Sequence, residues 1–312
     1  MQEFSSFDRM LAFSVYNITA LIGLLFYCFV CYIFYRESQS FKGTFYYIIW
    51  HIALADLSYF CLIIFFAAPV AVTNSKVYGQ FVSDLIANLD TILYNAGAAL
   101  ILPLSLNRFF VIYHNLSRVK EPTFLSALFT RKPHLHVVMS LCWLYAVFWM
   151  VLLSLNGCPK VFLPDRMHFS YACQDYSANA FQAYVWFVSL FPFANLLVYG
   201  ALFVVVKRFR LKHTIVLPKS TMFVVSQTTR TAKVAKQRNK QDRQMLYQAA
   251  VVVAGHCFNN LAFFLFSGLD SAAGPVLTTT ATVVNCLLNP FAYFTFNSVL
   301  RQKVIEFWKR WF

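Results

Sequence analysis

Charge is scarce in this chain. Of its 312 residues only 12% are Asp, Glu, Lys or Arg, where a soluble domain carries about 25%. That scarcity argues against an ordinary water-soluble globule. The sequence also lacks a detectable internal repeat, which weighs against a transporter, since many of those are built from repeats. It shows no zinc-ligand spacing, no nucleophile–base constellation and no phosphate-binding loop. Covalent catalysis, a metal and a cofactor are therefore not expected. A cleavable leader is not expected either: the first apolar run is too long for a signal core, and no small-residue cleavage site follows it.

What is present is apolar. The composition is 59% hydrophobic and 19% aromatic, with 35 Phe. Seven runs stand out, at 10–35, 46–72, 85–113, 135–155, 180–206, 245–266 and 272–296. Each reaches the roughly 20 residues that a helix needs to cross about 30 Å of hydrocarbon. Membrane strands would be shorter and alternating, so the runs predict an all-α membrane protein with a seven-helix bundle. One membrane domain then spans 1–312. After the last run, "NSVLRQKVIEFWKRWF" places Leu300, Val304, Phe307, Trp308 and Trp311 at helical spacing. Arg301, Lys303, Lys309 and Arg310 cover the rest. This predicts an amphipathic helix over 298–312, lying on the inner leaflet.

The net charge of +14 is a matter of placement. Loops 36–45, 108–134 and 207–244 and the tail hold 22 of the 26 Lys and Arg. The other side holds Arg9, Lys76, Lys160 and Arg166. Basic loops stay in the cytoplasm. The expected topology is an extracellular N-terminus, a cytoplasmic C-terminus and insertion in the plasma membrane, and the basic excess then does not imply nucleic acid. The very short outer N-terminus argues against a folded ligand-binding ectodomain. Two glycosylation sequons, at Asn17 and Asn115, are expected to be unused, one inside a span and the other cytoplasmic. The long basic stretch, about 208–243, is expected to be mobile at its centre.

Six of the eight cysteines, Cys28, Cys31, Cys61, Cys142, Cys257 and Cys286, fall within runs, where packing is their expected role. Cys158 and Cys173 share the loop after the fourth run, on the oxidising side. They form either a disulfide or two free thiols.

Polar residues inside the runs carry the functional signal. Asp56 lies about 18 Å into its span, near the midplane. A carboxylate there is protonated, paired or bound to a cation. Asn285 and Asn289 share one face of the seventh run, and Asn285 is expected at the depth of Asp56. The three form either a hydrated, sodium-binding centre that rearranges or a static hydrogen-bonded knot. Pro290 is expected to kink the seventh span, with Tyr293 one turn beyond. Asn107 and Arg108, in "LSLNRFFVIYHN", interrupt an apolar run, and an arginine there needs a partner or a function.

Seven spans, "IALAD", "NRF" and "NPFAY" together resemble the rhodopsin-like G-protein-coupled receptors over nearly the whole chain. "NPFAY" fits that family's Asn-Pro-x-x-Tyr pattern. Asn107-Arg108-Phe109 is similar to its acidic-Arg-aromatic triplet with Asn in place of the acid. The resemblance implies that Arg108 restrains the inactive state and later contacts a heterotrimeric G protein, with Asn107, Phe109, Asn289, Pro290 and Tyr293 in coupling and activation. Departures are equally plain. "CFNN" stands where the family carries Cys-Trp-x-Pro, so Phe258 replaces the Trp and Asn260 the Pro, which puts the usual motion of that span in question. Ser83 stands at the usual cysteine position of the third span, so the implied disulfide is local, Cys158 with Cys173. Val283 occupies the position of the opsin retinal lysine, so retinal is not expected.

"LNRFF", a short N-terminus, an outer loop beginning "NGC" with paired cysteines, and a short tail resemble the nematode serpentine chemoreceptors, class x or a close relative. The implied function is a chemosensory receptor with a small-molecule ligand, a G protein and membrane lipid as partners. The alternatives are a biogenic-amine or neuropeptide receptor of the same superfamily, and a seven-helix channel or transporter. Asp90 lies five turns before Arg108, about 27 Å along one helix face. Amine-binding members of the family carry an aspartate there. Asp90, Tyr94, Trp186, Phe187 and Phe258 are the candidate ligand-binding residues, with Asp90 either a counter-ion for a ligand ammonium or hydrated and unemployed.

Overall fold

The computed structural model describes residues 4–75, 77–117, 123–174, 176, 178–215, 244, 247–248, 250–263, 265–266 and 273–311. Helix α1 (Ser6–Arg36) opens on a capping box, in which Ser5 Oγ accepts from the Asp8 amide and the Asp8 carboxylate accepts from the Ser5 amide. This satisfies donors that a helix N-terminus leaves unpaired. The second span is built from α2 (Thr44–Leu62), one π-helical stretch (Ile63–Ala67) and α3 (Ala68–Thr73). Then follow α4 (Gln80–Ser117), the short α5 (Phe124–Thr130) and α6 (Lys132–Leu155). Strands β1 (Lys160–Leu163) and β2 (His168–Tyr171) form an antiparallel hairpin. Helices α7 (Ala178–Ile215), α8 (Ala250–Phe263), α9 (Ala273–Phe296) and α10 (Ser298–Trp311) complete the chain.

Among the described residues, five helices are long and apolar enough to cross a membrane: α1, α2 with α3, α4, α6 and α7. α9 qualifies together with α10, from which it is bent by 81°. α8 is a shorter apolar helix within the sixth run, and residues 245–246, 249 and 264 of that run lie outside the described set. The arrangement is a seven-helix bundle. The centre of the long basic stretch, 216–243, also lies outside the described residues.

Large apolar side chains divide into two populations. Phe7, Ile18, Leu25, Leu141, Leu144 and Leu197 point outward and are exposed, as lipid contact requires. Inside, one cluster gathers Tyr16, Phe60, Phe66, Phe162 and Phe169 at the hairpin end. A second gathers Ile33, Ile48, Leu100, Tyr293 and Leu300 toward α10. Gly23 lets α1 approach α2 closely, because a Cβ there would sit 2.5 Å from Phe60 Cζ. Cys28 and Cys257 belong to the exposed set, so packing is not their role; Cys286 is buried.

Two loops differ from expectation. The segment after the third run contains α5, capped by Thr123, whose side chain accepts from the Ser126 amide. The loop after α6 is the hairpin, whose four-residue strands are too short to stand out in an apolar sequence. α10 presents Leu300 and Val304 to the bundle and Phe307 to the rings of Phe29 and Tyr32 on α1, while Trp308 is exposed. Lys303 does not face lipid alone: it pairs with Glu37 at 3.2 Å, tying α10 to the end of α1.

Candidate functional site

The hairpin is anchored at several points. Cys158 is bonded to Cys173 across its base. Closing a loop of 15 residues stabilises the fold by about 3 kcal/mol on the chain-entropy account. Tyr16 Oη on α1 donates to Met167 O at 2.8 Å, where Met167 turns the hairpin with φ +57°. Arg9 Nη1 donates to Pro164 O at 3.0 Å and to Ala71 O at 3.3 Å. In a strand alternate side chains share a face. Lys160 pairs with Tyr171 and Phe162 with Phe169, and all four lie on the face turned into the bundle.

Beneath the hairpin is a cavity of about 80 Å³. Asp90 and Tyr94 from α4 line it, with Lys160 and Tyr171 from the hairpin, Tyr184 and Ser189 from α7, Asn259 and Asn260 from α8, and Thr278, Thr279 and Thr282 from α9. Lys160 Nζ is 2.7 Å from Asp90 Oδ2, and the two side chains are only 11% and 5% exposed. Nζ also stands 4.6 Å above the Tyr171 ring. Burial alone would lower the pKa of Lys160, but the Asp90 carboxylate, with Tyr184 and Tyr94 adding to it, holds that pKa above its ordinary value. Asp90 is thus buried and paired, its cation supplied by the protein itself. Tyr94 Oη donates to Asn260 Oδ1, joining α4 to α8. Thr282 Oγ1 donates to Asn259 Oδ1 at 3.0 Å, joining α8 to α9. The asparagines of "CFNN" therefore stitch helices together where a proline was expected.

Three expected residues do not line this cavity. Trp186, Phe187 and Phe258 are 67%, 52% and 55% exposed on the outside of the bundle. The neighbouring turns of the same helices supply the lining instead, through Tyr184, Ser189, Asn259 and Asn260. The sequence placed Trp186, Phe187 and Phe258 on the right spans, but the structure turns all three away from the cavity.

At mid-bundle, Asp56 Oδ2 accepts from Asn289 Nδ2 and from Tyr27 Oη, both at 2.8 Å. Asn285 does not join this pair; its Nδ2 lies 3.4 Å from His256 Nδ1. Tyr27 was not anticipated, because a tyrosine in an apolar run carries no signal of its own. Asn289 Oδ1 and Tyr293 Oη, both buried, have no hydrogen-bond partner among the described residues.

The third constellation lies at the α10 end. Arg108 borders a cleft of about 330 Å³ with Tyr46, Val111, Gln244, Gln248 and Asn297. Among the described residues no carboxylate forms an ion pair with it. Its guanidinium instead stacks on Phe45 of α2, with Cζ 3.1 Å from the ring centroid. The same ring meets Tyr293 edge-on, with centroids 6.5 Å apart. Asn107 Nδ2 donates to Thr44 Oγ1 at 3.0 Å and to Phe129 O at 2.6 Å, fixing α4 against α2 and α5. Phe109 turns away from this cleft and packs with Ile112, Leu202 and Val206.

The family described as serpentine type 7TM GPCR chemoreceptor Srx matches residues 18–297. No curated protein matches the chain in sequence. Among solved structures the chain is similar to squid rhodopsin, with a TM-score of 0.70 at 12% identity, covering 98% of this chain and 87% of that one. At that identity the likeness shows the fold alone.

Proposed function

The chain belongs to the Srx family of serpentine seven-helix G-protein-coupled chemoreceptors, and from that premise we propose that a small molecule binding beneath the hairpin drives a heterotrimeric G protein at the opposite end. The observation that carries this reading is the placement of two cavities on one helix. α4 delivers Asp90 and Tyr94 to the cavity under the hairpin and Arg108 to the cleft beside α10. Eighteen residues of helix separate the two, about 27 Å. The hairpin end faces the outside and the α10 end the cytoplasm of the plasma membrane, in line with the basic loops.

In this reading Tyr94 and the two asparagines of α8 sense the ligand. Asp56 with Asn289, and Pro290 with Tyr293, form the polar centre that rearranges. Asn289 Oδ1 and Tyr293 Oη, which have no hydrogen-bond partner among the described residues, support it, since buried polar atoms normally have partners. Asn107, Arg108 and Phe109 position the G-protein end. The test is a panel of small molecules applied to cells expressing wild type or Arg108→Ala at matched surface level, with G-protein activation as readout. The Arg108→Ala variant is expected to reach the surface and lose most of the response. An unchanged response to the activating compound overturns the assignment.

A further inference from the structure

A buried ion pair inside a ligand cavity bears on what that cavity accepts. Among the described residues Asp90 is the only carboxylate that lines the cavity, and Lys160 Nζ already occupies its Oδ2 at 2.7 Å. The ammonium also covers the Tyr171 ring at 4.6 Å, so the aromatic face beside Asp90 is taken as well. Lys160 is held there rather than passing through. It lies two residues after Cys158, which is bonded to Cys173, and opposite Tyr171 in the strand register. The hairpin is pinned further by Tyr16 and Arg9.

We infer that Lys160 is a built-in ammonium filling the anionic subsite at Asp90, so that the cavity takes small uncharged ligands and excludes cationic ones. A cationic ligand would have to expel an ammonium covalently tethered to the hairpin. That tether gives Lys160 a high effective concentration which a free amine must overcome. An anionic ligand would have to displace Asp90 from Lys160 in the same way. The remaining lining is neutral and hydrogen-bonding: Tyr94, Ser189, Asn259, Asn260 and Thr282, set among Phe169, Phe181 and Val188. Such a wall suits a compact molecule with an apolar body and one polar group, and about 80 Å³ leaves room for little more without rearrangement.

The inference rests on reading this cavity as the ligand site, but its test needs neither the natural ligand nor a G protein. Thermal unfolding of the purified receptor is followed with n-propylammonium, n-propanol or formate as probe. In Lys160→Ala, n-propylammonium replaces the lost Cγ to Nζ atoms; in Asp90→Ala, formate replaces the lost carboxylate. Both variants are expected to melt below wild type. Millimolar n-propylammonium should restore most of the loss in Lys160→Ala, n-propanol should restore less, and formate should act on Asp90→Ala. Wild type and the double variant Asp90→Ala/Lys160→Ala should respond to neither ion. If a single variant is recovered only when expressed with its probe, yield with and without the probe is the same readout. Lys160→Met, which keeps the side-chain volume, should fold without a probe and ignore n-propylammonium. Stabilisation of wild type by n-propylammonium equal to that of Lys160→Ala, or no rescue of either single variant, overturns the inference. That failure would leave the Arg108 result untouched, and failure of Arg108→Ala would leave the rescue untouched.

Discussion

Arg108 has an aromatic ring where its relatives by resemblance hold an acid. Asn107 cannot supply charge, and its amide nitrogen is spent on Thr44 and Phe129. The guanidinium rests on Phe45 instead, and the same ring leans on Tyr293. A cation–π contact is worth about 0.5–2 kcal/mol. If that contact exists only in the resting state, Phe45→Ala shifts the resting-to-active equilibrium by roughly 2- to 30-fold toward activity. Ligand-independent signalling at matched expression measures it; signalling equal to wild type removes Phe45 from that role. At this scale the sequence was informative where a polar residue interrupts an apolar run, as at Asp56, Asp90, Asn107 and Arg108. It was silent on partners contributed from distant elements. Lys160 reads as one of four basic residues on the sparse side, and nothing in its neighbourhood points to Asp90. Trp186, Phe187 and Phe258 show the reverse error: an aromatic residue suits lipid and cavity equally well, and helix phase decides which it meets.

The hairpin is the element on which the outer cavity depends. It forms a lid whose inward face carries Lys160, Phe162, Phe169 and Tyr171. His168, at the start of β2, is buried, and in the tautomer protonated at Nδ1 it donates to Arg166 O at 3.1 Å. Burial lowers the pKa of His168, with the charges of Arg166 and Lys160 adding to the effect. A lowered folded-state pKa means that the unfolded chain binds more protons as pH falls from about 6.5 toward the folded value. The His168 contribution to stability is therefore intact above about 6.5 and lost progressively below it. In melting experiments from pH 7.5 to pH 5, His168→Gln is expected to lose less stability on acidification than wild type. Identical pH profiles would show that His168 is not responsible. The helices were legible because each is a long apolar run. The hairpin was not, because four-residue strands in a loop leave no period to detect. α5 escaped for the same reason, and α10 was found through its facing of Leu300, Val304 and Phe307.

For the whole molecule, the seven-helix bundle followed from composition and run length, and the α9–α10 bend follows the end of the last run. The orientation in the membrane rests on the basic loops. Cysteines introduced within 215–235 should be labelled only from the cytoplasm, and one at Lys76 only from outside. Labelling of 215–235 from outside intact cells would reverse the assignment of the two ends. We assign activation of a heterotrimeric G protein to the end carrying Arg108, with Phe45 as its restraint. Guanine-nucleotide exchange on purified heterotrimers, catalysed by the receptor in lipid vesicles, tests this most directly. Ligand-independent exchange is expected in the order Phe45→Ala, then wild type, then Arg108→Ala near the level of empty vesicles. Exchange no faster with wild type or Phe45→Ala than with empty vesicles, for every class of heterotrimer tried, would contradict it, as would Arg108→Ala exchanging as fast as wild type.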